Sequence, residues 1–289
     1  MSNPKTTEDE QDHQMRVPPT IVPSESKPIN NTCLRRFLVL VSIKFLKHFR
    51  PRHGGIFFLS KEICVKYGPL KNLSEASTMQ FIRQHTSIPV PEIICSFTRN
   101  GCTYIVMERI HGEMVGRGWT SRTDESKAKI LSQLQEMVAD MRRIAPPNSA
   151  VSNIDGGILY DCRIHGPMRF GPFKSIQNFH KYLRGGLEPH ADNPGDVSEV
   201  MAWQDGPWPA PVFTHGDLSS LNILARGDEV VGIIDWETAG WYPVYWEYTT
   251  ASYVNPQNLF WKDEVDRFLE PMSKEMALEE IRQKYFGDV

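Results

Sequence analysis

One stretch constrains the fold more than any other: PVFTHGDLSSLNILARGDEVVGIIDWETAGW, which runs from Pro211 to Trp241. It contains two short apolar runs, Asn222 to Ala225 and Val230 to Ile234, separated by the polar turn RGDE. Apolar runs on either side of a short polar turn predict a β-hairpin. A polar loop precedes the first strand, and Asp235 follows the second.

The predicted hairpin brings together three oxygen-bearing side chains: Asp217 from the loop, Asn222 and Asp235. Carboxylates beside an apolar hairpin are costly to bury alone, so a cation is their expected partner. Mg²⁺ needs only one or two protein ligands when it also binds phosphate and water, and Asn222 with Asp235 would supply them. Asp217 lies where it could orient or deprotonate an attacking hydroxyl. The alternative interpretation is a structural hairpin with a polar turn.

The run HGDLSSLN, from His215 to Asn222, followed by IIDWE, resembles the aminoglycoside phosphotransferase and choline kinase-like family. Gly216 stands where protein kinases carry Arg. The resemblance covers about Lys66 to Tyr248 and is strongest to a fungal branch with phrases such as HTSIPVPEI, YIVMERI and WYPVYWEY. It implies a two-lobed, protein-kinase-like α+β fold, with a small β-rich N-lobe and a larger, mainly helical C-lobe. The expected division is a disordered tail over 1–30, a nucleotide-binding N-lobe over 31–108 and a catalytic C-lobe over 109–289.

The resemblance also implies the residues that bind the nucleotide. Lys66, at the end of a predicted strand, would contact the α and β phosphates, and Glu75 would pair with it. The backbone of the segment containing Met107, Glu108 and Ile110 would bind the adenine edge. The family's phosphate-covering glycine loop is reduced here to Gly54 and Gly55, which could equally form a plain turn.

On the acceptor side, the resemblance implies that Asp217 is catalytic and that His215 supports its loop, while Asn222 and Asp235 bind the metal. Candidate substrate contacts are Asp161, Glu237 and Glu247, although the family's acid near Glu247 anchors the catalytic loop. Tyr160 and Arg163 join Asp161 as candidates for a substrate lid in a loop rich in Gly and Pro. A structural Gly-Pro connection is the alternative there.

These roles imply transfer of the γ-phosphoryl group of ATP, with GTP as an alternative, to a hydroxyl of a small molecule in a reaction that uses Mg²⁺. Two features argue against a protein substrate: the short connection from Asp235 to Glu247, and Ser219 where protein serine/threonine kinases carry a lysine. The other hypotheses are a pseudokinase-like nucleotide-binding module, a protein kinase, and a lipid-head-group kinase at a membrane.

Composition and charge limit the classes of binding partner and the cellular location that we expect. The 289 residues carry a net charge of -3 and no basic stripe, so we expect no nucleic-acid partner. Five scattered cysteines without CxxC spacing predict reduced thiols and a cytoplasmic enzyme. The apolar, basic stretch Arg35 to Lys47 is too short to span a bilayer and predicts a helix packed on the small lobe, with a membrane-surface helix as the alternative. We therefore expect no membrane association, and the sequence does not indicate an oligomeric state.

Periodicity and turn signals predict the remaining elements. We expect a helix over Glu75 to His85 capped by Ser74, and a β-hairpin turning at Asn100-Gly101. Further helices are expected over 127–144, 175–183, about 197–204, and once or twice within 261–285.

Overall fold

The structure is a computed structural model that describes residues 25–50, 55–253 and 258–287. Its N-terminal part is built on a four-stranded antiparallel sheet with the strand order β1-β2-β4-β3. The strands are β1 (Ile56–Phe58), β2 (Ile63–Gly68), β3 (Ile93–Arg99) and β4 (Cys102–Glu108). The predicted turn between β3 and β4 is present, with positive φ at Asn100 (50°) and Gly101 (69°).

Two helices cover the two faces of this sheet. Alternation along β2 places Val65 on one face and Cys64 on the other. Helix α1 (Cys33–Leu46) packs on the Val65 face, and helix α2 (Leu73–His85) packs on the Cys64 face, toward the rest of the molecule. Asn72 caps α2 by accepting the N–H of Ser74 at 3.1 Å, so the predicted cap at Ser74 is wrong by two residues.

The C-terminal part is mainly helical. Its helices are α3 (Asp124–Arg142), α4 (Ile176–Leu183), α5 (Gly195–Asp205), α6 (Trp246–Ser252), α7 (Leu259–Val265) and α8 (Ser273–Phe286). Its short strands are β5 (Glu113–Met114), β6 (Leu159–Tyr160), β7 (Arg169–Phe170), β8 (Val212–Thr214), β9 (Ile223–Arg226), β10 (Glu229–Ile233) and β11 (Gly240–Tyr242). The segment expected as an open loop around residue 160 therefore contains an antiparallel β6–β7 pair.

The predicted central hairpin is present as β9 and β10, and β5 adds a third strand to it. Strand β8 instead pairs with β11. A hydrophobic core runs from α2, through Met79 and Ile82, to Phe213 and Trp236 in the C-terminal part, and so joins the two lobes. A second core, rich in aromatic residues, lies under α4 and α6. The observed arrangement is the predicted two-lobed α+β fold.

Two predictions fall partly outside the described residues. Residues 1–24 of the expected tail lie outside the described residues. Within the remainder of that tail, Ile29 forms two hydrogen bonds with Ser96 of β3, at 2.9 and 3.0 Å. Gly54 also lies outside, and Gly55 just precedes β1. Within the described part of the chain, none of the helices combines the length and the hydropathy needed to cross a membrane.

Candidate active site

The HGDLSSLN segment connects β8 to β9, and His215 holds it in place. The Asp217 N–H donates to Nδ1 of His215 at 3.1 Å, and Nε2 lies 3.1 Å from the carbonyl oxygen of Ile234. Because Nδ1 accepts, Nε2 must be the donor to that carbonyl, which fixes the tautomer and the ring orientation. His215 is fully buried, so it positions the loop and does not face the cleft.

Glu247, in the first turn of α6, anchors the same loop. Its carboxylate accepts the main-chain N–H groups of His215 and Gly216, at 2.6 and 3.0 Å. Arg142 of α3 donates to the carbonyl oxygen of Phe213, at 2.8 Å, and so holds the strand that leads into the loop. Glu247 has no exposed surface. Its predicted contact with a substrate is therefore wrong, and the structure shows it as the support of the loop.

Gly216 replaces the kinase arginine for a conformational reason. Its φ is +79°, in the left-handed region that favours glycine, and a Cβ there would lie 3.0 Å from the carbonyl oxygen of Thr238. The Thr238 hydroxyl in turn donates to the carbonyl oxygen of His215 at 2.9 Å. A side chain at position 216 would push the loop away from the turn that follows Asp235.

Asp217 presents its carboxylate at the cleft, with 37% of its side chain exposed. Oδ2 accepts a hydrogen bond from Nδ2 of Asn222 at 2.8 Å, and Oδ1 accepts one from Nη1 of Arg163 at 3.1 Å. Each carboxylate oxygen has a second lone pair, so the group can still accept a bond from a hydroxyl. The arrangement fixes the orientation of the carboxylate without blocking it.

Arg163 reaches Asp217 because Asp161 holds it. Its Nε and Nη2 donate to the two oxygens of Asp161, at 2.9 and 2.7 Å, in the bidentate geometry that suits a guanidinium and a carboxylate. Asp161 is only 2% exposed. Asp161 is therefore not available to a substrate, and that prediction is wrong: the residue orients an arginine at Asp217.

Asp235 lies in an unusual backbone conformation, with φ 65° and ψ 56°. A left-handed conformation costs a residue with a side chain about 1 kcal/mol, although Asp tolerates it better than most. The chain turns here from β10 into the short 3₁₀ helix Trp236–Thr238. Strain of this kind is retained where the surrounding structure imposes it, often at functional sites.

The Asp235 carboxylate meets Lys66 at the interface between the lobes. Nζ of Lys66 lies 2.6 Å from Oδ1 of Asp235, 2.7 Å from Oε1 of Glu75 and 3.1 Å from Oε2 of Glu237. Lys71 also pairs with Glu237, at 2.7 Å. We call these five residues the Lys66 cluster. Three acids face two lysines, so the cluster has an excess of negative charge when all five are ionised and can attract a further cation.

Burial and charge act against each other in this cluster. Burial raises the pKa of Glu75 to about 7, with the neighbouring Lys66 opposing the rise. Burial alone would lower the pKa of Lys66, but the three carboxylates outweigh it and raise that pKa. Burial would raise the pKa of Asp235, yet the nearby ammonium groups hold it below its ordinary value. Lys66 is therefore a permanent cation at the end of the cleft.

The oxygen donors of the site suit a hard divalent cation. Glu75, Asp235 and Glu237 each have an oxygen within 4.8 Å of the others. Glu75 is buried against Lys66, so the accessible carboxylates are those of Asp235 and Glu237. Because Nδ2 of Asn222 is turned toward Asp217, its Oδ1 points away and accepts no hydrogen bond from the described residues. Two carboxylates and one amide oxygen fit Mg²⁺, which prefers oxygen ligands.

The predicted hinge consists of the end of β4, with Met107 and Glu108, and the segment after it, with Ile110. Met107 is buried in the core, and the Glu108 N–H donates to the carbonyl oxygen of Glu92 at 2.9 Å. The carbonyl oxygen of Glu108 is approached by the Cys64 thiol at 3.7 Å. Within the described ranges, the N–H of Ile110 has no acceptor. One main-chain donor and one weakly occupied acceptor are thus available to the edge of a base.

Gly55 and Glu237 both lie beside Lys71. Gly55 lies beside Lys71, since a Cβ on it would be 3.5 Å from Cε of that lysine. Glu237, predicted as a substrate contact, belongs to the Lys66 cluster. Sequence reasoning missed Lys71 and Arg142, because neither stands in a motif or a periodic pattern that marks its role.

The described residues place an Asp-Asn pair and a Lys-Glu-Asp cluster between a β-rich and a helical lobe, which is the arrangement expected of a protein-kinase-like fold. Residues 69–277, well over half of the chain, match the model of the family described as "Phosphotransferase enzyme family". The chain belongs to this family.

Solved structures agree on the fold. A ternary complex of a thermostable mutant of aminoglycoside phosphotransferase APH(4)-Ia with AMP-PNP and hygromycin B has a TM-score of 0.57 and 14% identity, over 83% of this chain and 86% of that one. The streptomycin-ATP-APH(2")-IIa ternary complex has a TM-score of 0.54 and 11% identity, over 89% and 88%. At these identities the likeness shows the fold alone.

Among curated proteins, the chain matches a subtelomeric hrmA-associated cluster protein of Aspergillus fumigatus. The two are 38% identical over 68 residues, which is 22% of this chain. The chain spans only 13% of the length of that relative.

Proposed function

We propose that this protein transfers the γ-phosphoryl group of ATP to a hydroxyl group of a small molecule, with Mg²⁺ as cofactor. The observation that carries the proposal is a continuous set of contacts across the cleft. The Asp217 carboxylate accepts a hydrogen bond from the Asn222 side chain. The main-chain carbonyl oxygen of Asn222 accepts the N–H of Ile234 at 2.9 Å, and the residue after Ile234, Asp235, contacts Lys66. Groups for the acceptor, the metal and the phosphates therefore lie side by side.

Phosphoryl transfer depends more on positioning the reactants and neutralising charge than on covalent chemistry by the protein. Lys66, braced by Glu75, would hold phosphate oxygens. Asp235 and Asn222 would hold Mg²⁺, which bridges phosphate oxygens and offsets their charge when bound. Asp217 would accept the hydrogen bond, and finally the proton, of the acceptor hydroxyl.

The acceptor is proposed to lie on the Arg163 side of Asp217, because Asn222 and the Lys66 cluster occupy the other side. Two of the three acids expected to contact the acceptor are buried in structural roles, and the third, Glu237, is paired with two lysines. None of these three acids therefore offers a free negative charge that would favour a cationic acceptor. Small-molecule acceptors remain favoured, because the connection from Asp235 to α6 is short and contains no long activation loop.

ATP is proposed over GTP because the fold neighbours include complexes with AMP-PNP and ATP. The hinge would bind a base through its main chain, because the Ile110 N–H has no acceptor among the described residues. The five cysteines are free thiols, which supports the proposed cytoplasmic location.

The test is a thermal-shift screen of nucleotides with and without Mg²⁺, followed by incubation with γ-labelled ATP and a metabolite extract. Label on small molecules, found by mass spectrometry and absent with Asp217→Ala, is the expected result. Magnesium-dependent binding with no labelled product would instead favour a nucleotide-binding module. Label on protein would favour a protein kinase.

A further inference from the structure

Helix α1 is apolar on two sides, and the sheet covers only one of them. Val39 and Ile43 are buried against the outer face of the small-lobe sheet. The opposite side carries large apolar side chains at helical spacing that are between 47% and 72% exposed, continued by one residue past the helix: Leu34, Phe37, Leu38, Val41, Phe45 and Phe49. A helix that is apolar all round is normally buried, and a contiguous exposed patch of this kind marks an interaction surface.

The charges around the patch have a single sign. From Cys33 to Arg50 the chain has no Asp or Glu, and its Lys and Arg residues are Arg35, Arg36, Lys44, Lys47 and Arg50. A shallow groove of about 530 Å³ runs along the helix, where Phe37 and Val41 lie beside Arg36, Lys44 and Arg99. Lys44 and Lys47 make no ion pair with any described residue. A partner for this face must therefore offer both an apolar environment for these side chains and negative charge for the basic residues.

The position of the patch is compatible with the proposed chemistry. Val65 of β2 faces α1, whereas the neighbouring Lys66 points to the opposite side of the sheet, into the cleft. A surface that binds the outer face of α1 would leave the cleft open. A 14-residue helix is about 21 Å long, too short to span a bilayer but suited to lie in its surface.

We propose that the outer face of α1 docks the protein onto an anionic membrane surface. Phe37, Val41 and Phe45 would enter the headgroup region, and the basic side chains would meet anionic lipid headgroups. The observations favour a lipid surface over a protein groove because every charge from Cys33 to Arg50 is positive, and Arg36 and Lys44 lie beside the apolar side chains of the groove. This proposal is independent of the phosphotransfer proposal, since it uses no residue of the cleft.

The test is flotation of the full chain with vesicles of phosphatidylcholine containing 30% phosphatidylserine, compared with phosphatidylcholine alone. Binding to the anionic vesicles that weakens with added salt is the expected result. Phe37→Asp with Phe45→Asp should abolish flotation, and Arg36→Glu with Lys44→Glu should lower the partition coefficient at least about tenfold. Leu259→Asp, which alters an equally exposed leucine on α7, should bind as the unmodified protein does.

Folding is checked independently by the melting temperature, which should be unchanged because Phe37, Lys44, Phe45 and Leu259 are exposed and Arg36 is only half-buried. The proposal is overturned if the full chain does not float, or if both double variants float normally. It is equally overturned if light scattering shows a dimer that only Phe37→Asp with Phe45→Asp disrupts, without vesicle binding. If the protein floats only after residues 1–24 are removed, that segment is the partner of the α1 face, and the membrane proposal is also rejected.

Discussion

The cleft contains two charged clusters of different origin. The Lys66 cluster draws Lys66, Lys71 and Glu75 from the small lobe and two acids from the C-terminal part. The Asp161–Arg163–Asp217 contacts come entirely from the C-terminal part. A site assembled from two lobes depends on how they close, whereas a site within one lobe is fixed by its own packing. The proposed catalytic half, around Asp217, is therefore pre-organised, and the proposed nucleotide half, around Lys66, is the one that lobe movement can change.

The largest effect is expected from a substitution that alters only the proposed catalytic half. Asp217→Ala should lower turnover about a thousandfold, because it removes the group that accepts the hydroxyl proton. Binding of Mg²⁺-ATP, measured by calorimetry, should stay within about twofold, since no contact in the Lys66 cluster is lost. Asp192→Ala, at an exposed acid, is the control. Native turnover in Asp217→Ala would contradict the assigned role.

The pH dependence of stability tests the packing of the large lobe. His180 is fully buried, where its Nδ1 donates to the carbonyl oxygen of Gln204 and its Nε2 accepts from the Tyr245 hydroxyl, each at 3.0 Å. Burial lowers the pKa of His180 to about 4. Because the unfolded histidine, with a pKa of about 6.5, binds the proton first, the contribution to stability is complete above about pH 6.5 and is lost as the pH falls toward 4.

The His180 contribution to the free energy of unfolding should be about 3 kcal/mol, measured by urea titration at each pH as the difference between the native protein and His180→Gln. The difference is needed because the raised pKa of Glu75 changes stability in the opposite direction over the same pH range. His180→Gln should flatten this dependence, whereas His190→Gln, at an exposed histidine, should keep it. Equal pH dependence in the native protein and in His180→Gln would show that another group is responsible.

Removing the arginine from the catalytic half should have a smaller effect. Arg163→Ala should lower kcat by the equivalent of about 2 kcal/mol, the usual value of a charged hydrogen bond, and leave the KM for ATP unchanged. Arg163→Lys should recover part of the loss, because it restores the charge but not the bidentate contact with Asp161. Arg143→Ala removes an exposed arginine as the matched control. A change in the KM for ATP without a change in kcat would place Arg163 on the nucleotide side.

The nucleotide half is tested by Asp235→Ala. The Kd of Mg²⁺-ATP should rise at least about tenfold, or about 1.4 kcal/mol, while ATP binding without metal changes less. Calorimetry with and without Mg²⁺ measures both. If Asp217→Ala weakened the binding of Mg²⁺-ATP as much as Asp235→Ala does, the two clusters would not have separate roles.

Much of the fold follows from local pattern. The β9–β10 hairpin, the Asn-Gly turn, and helices α2, α3, α4 and α5 were predictable because their signals lie within a few residues. The cap of α2 was misplaced because Asn72 and Ser74 are both good capping residues, and only the backbone path selects between them. The β6–β7 pair was missed because two-residue strands have no periodicity to detect.

The sequence alone determined that His215 and Asn222 lie beside Asp217 and that Asp235 lies next to Asn222, because the HGDLSSLN spacing and one hairpin bring them together over short distances along the chain. Only the tertiary structure decided that Arg163 reaches Asp217, that Asp161 and Glu247 are buried supports, and that the other described residues leave one face of α1 uncovered. Each of these depends on how distant segments pack and which charges they bury together. Residue spacing carries no information about such contacts when the partners are separated by loops of undetermined path.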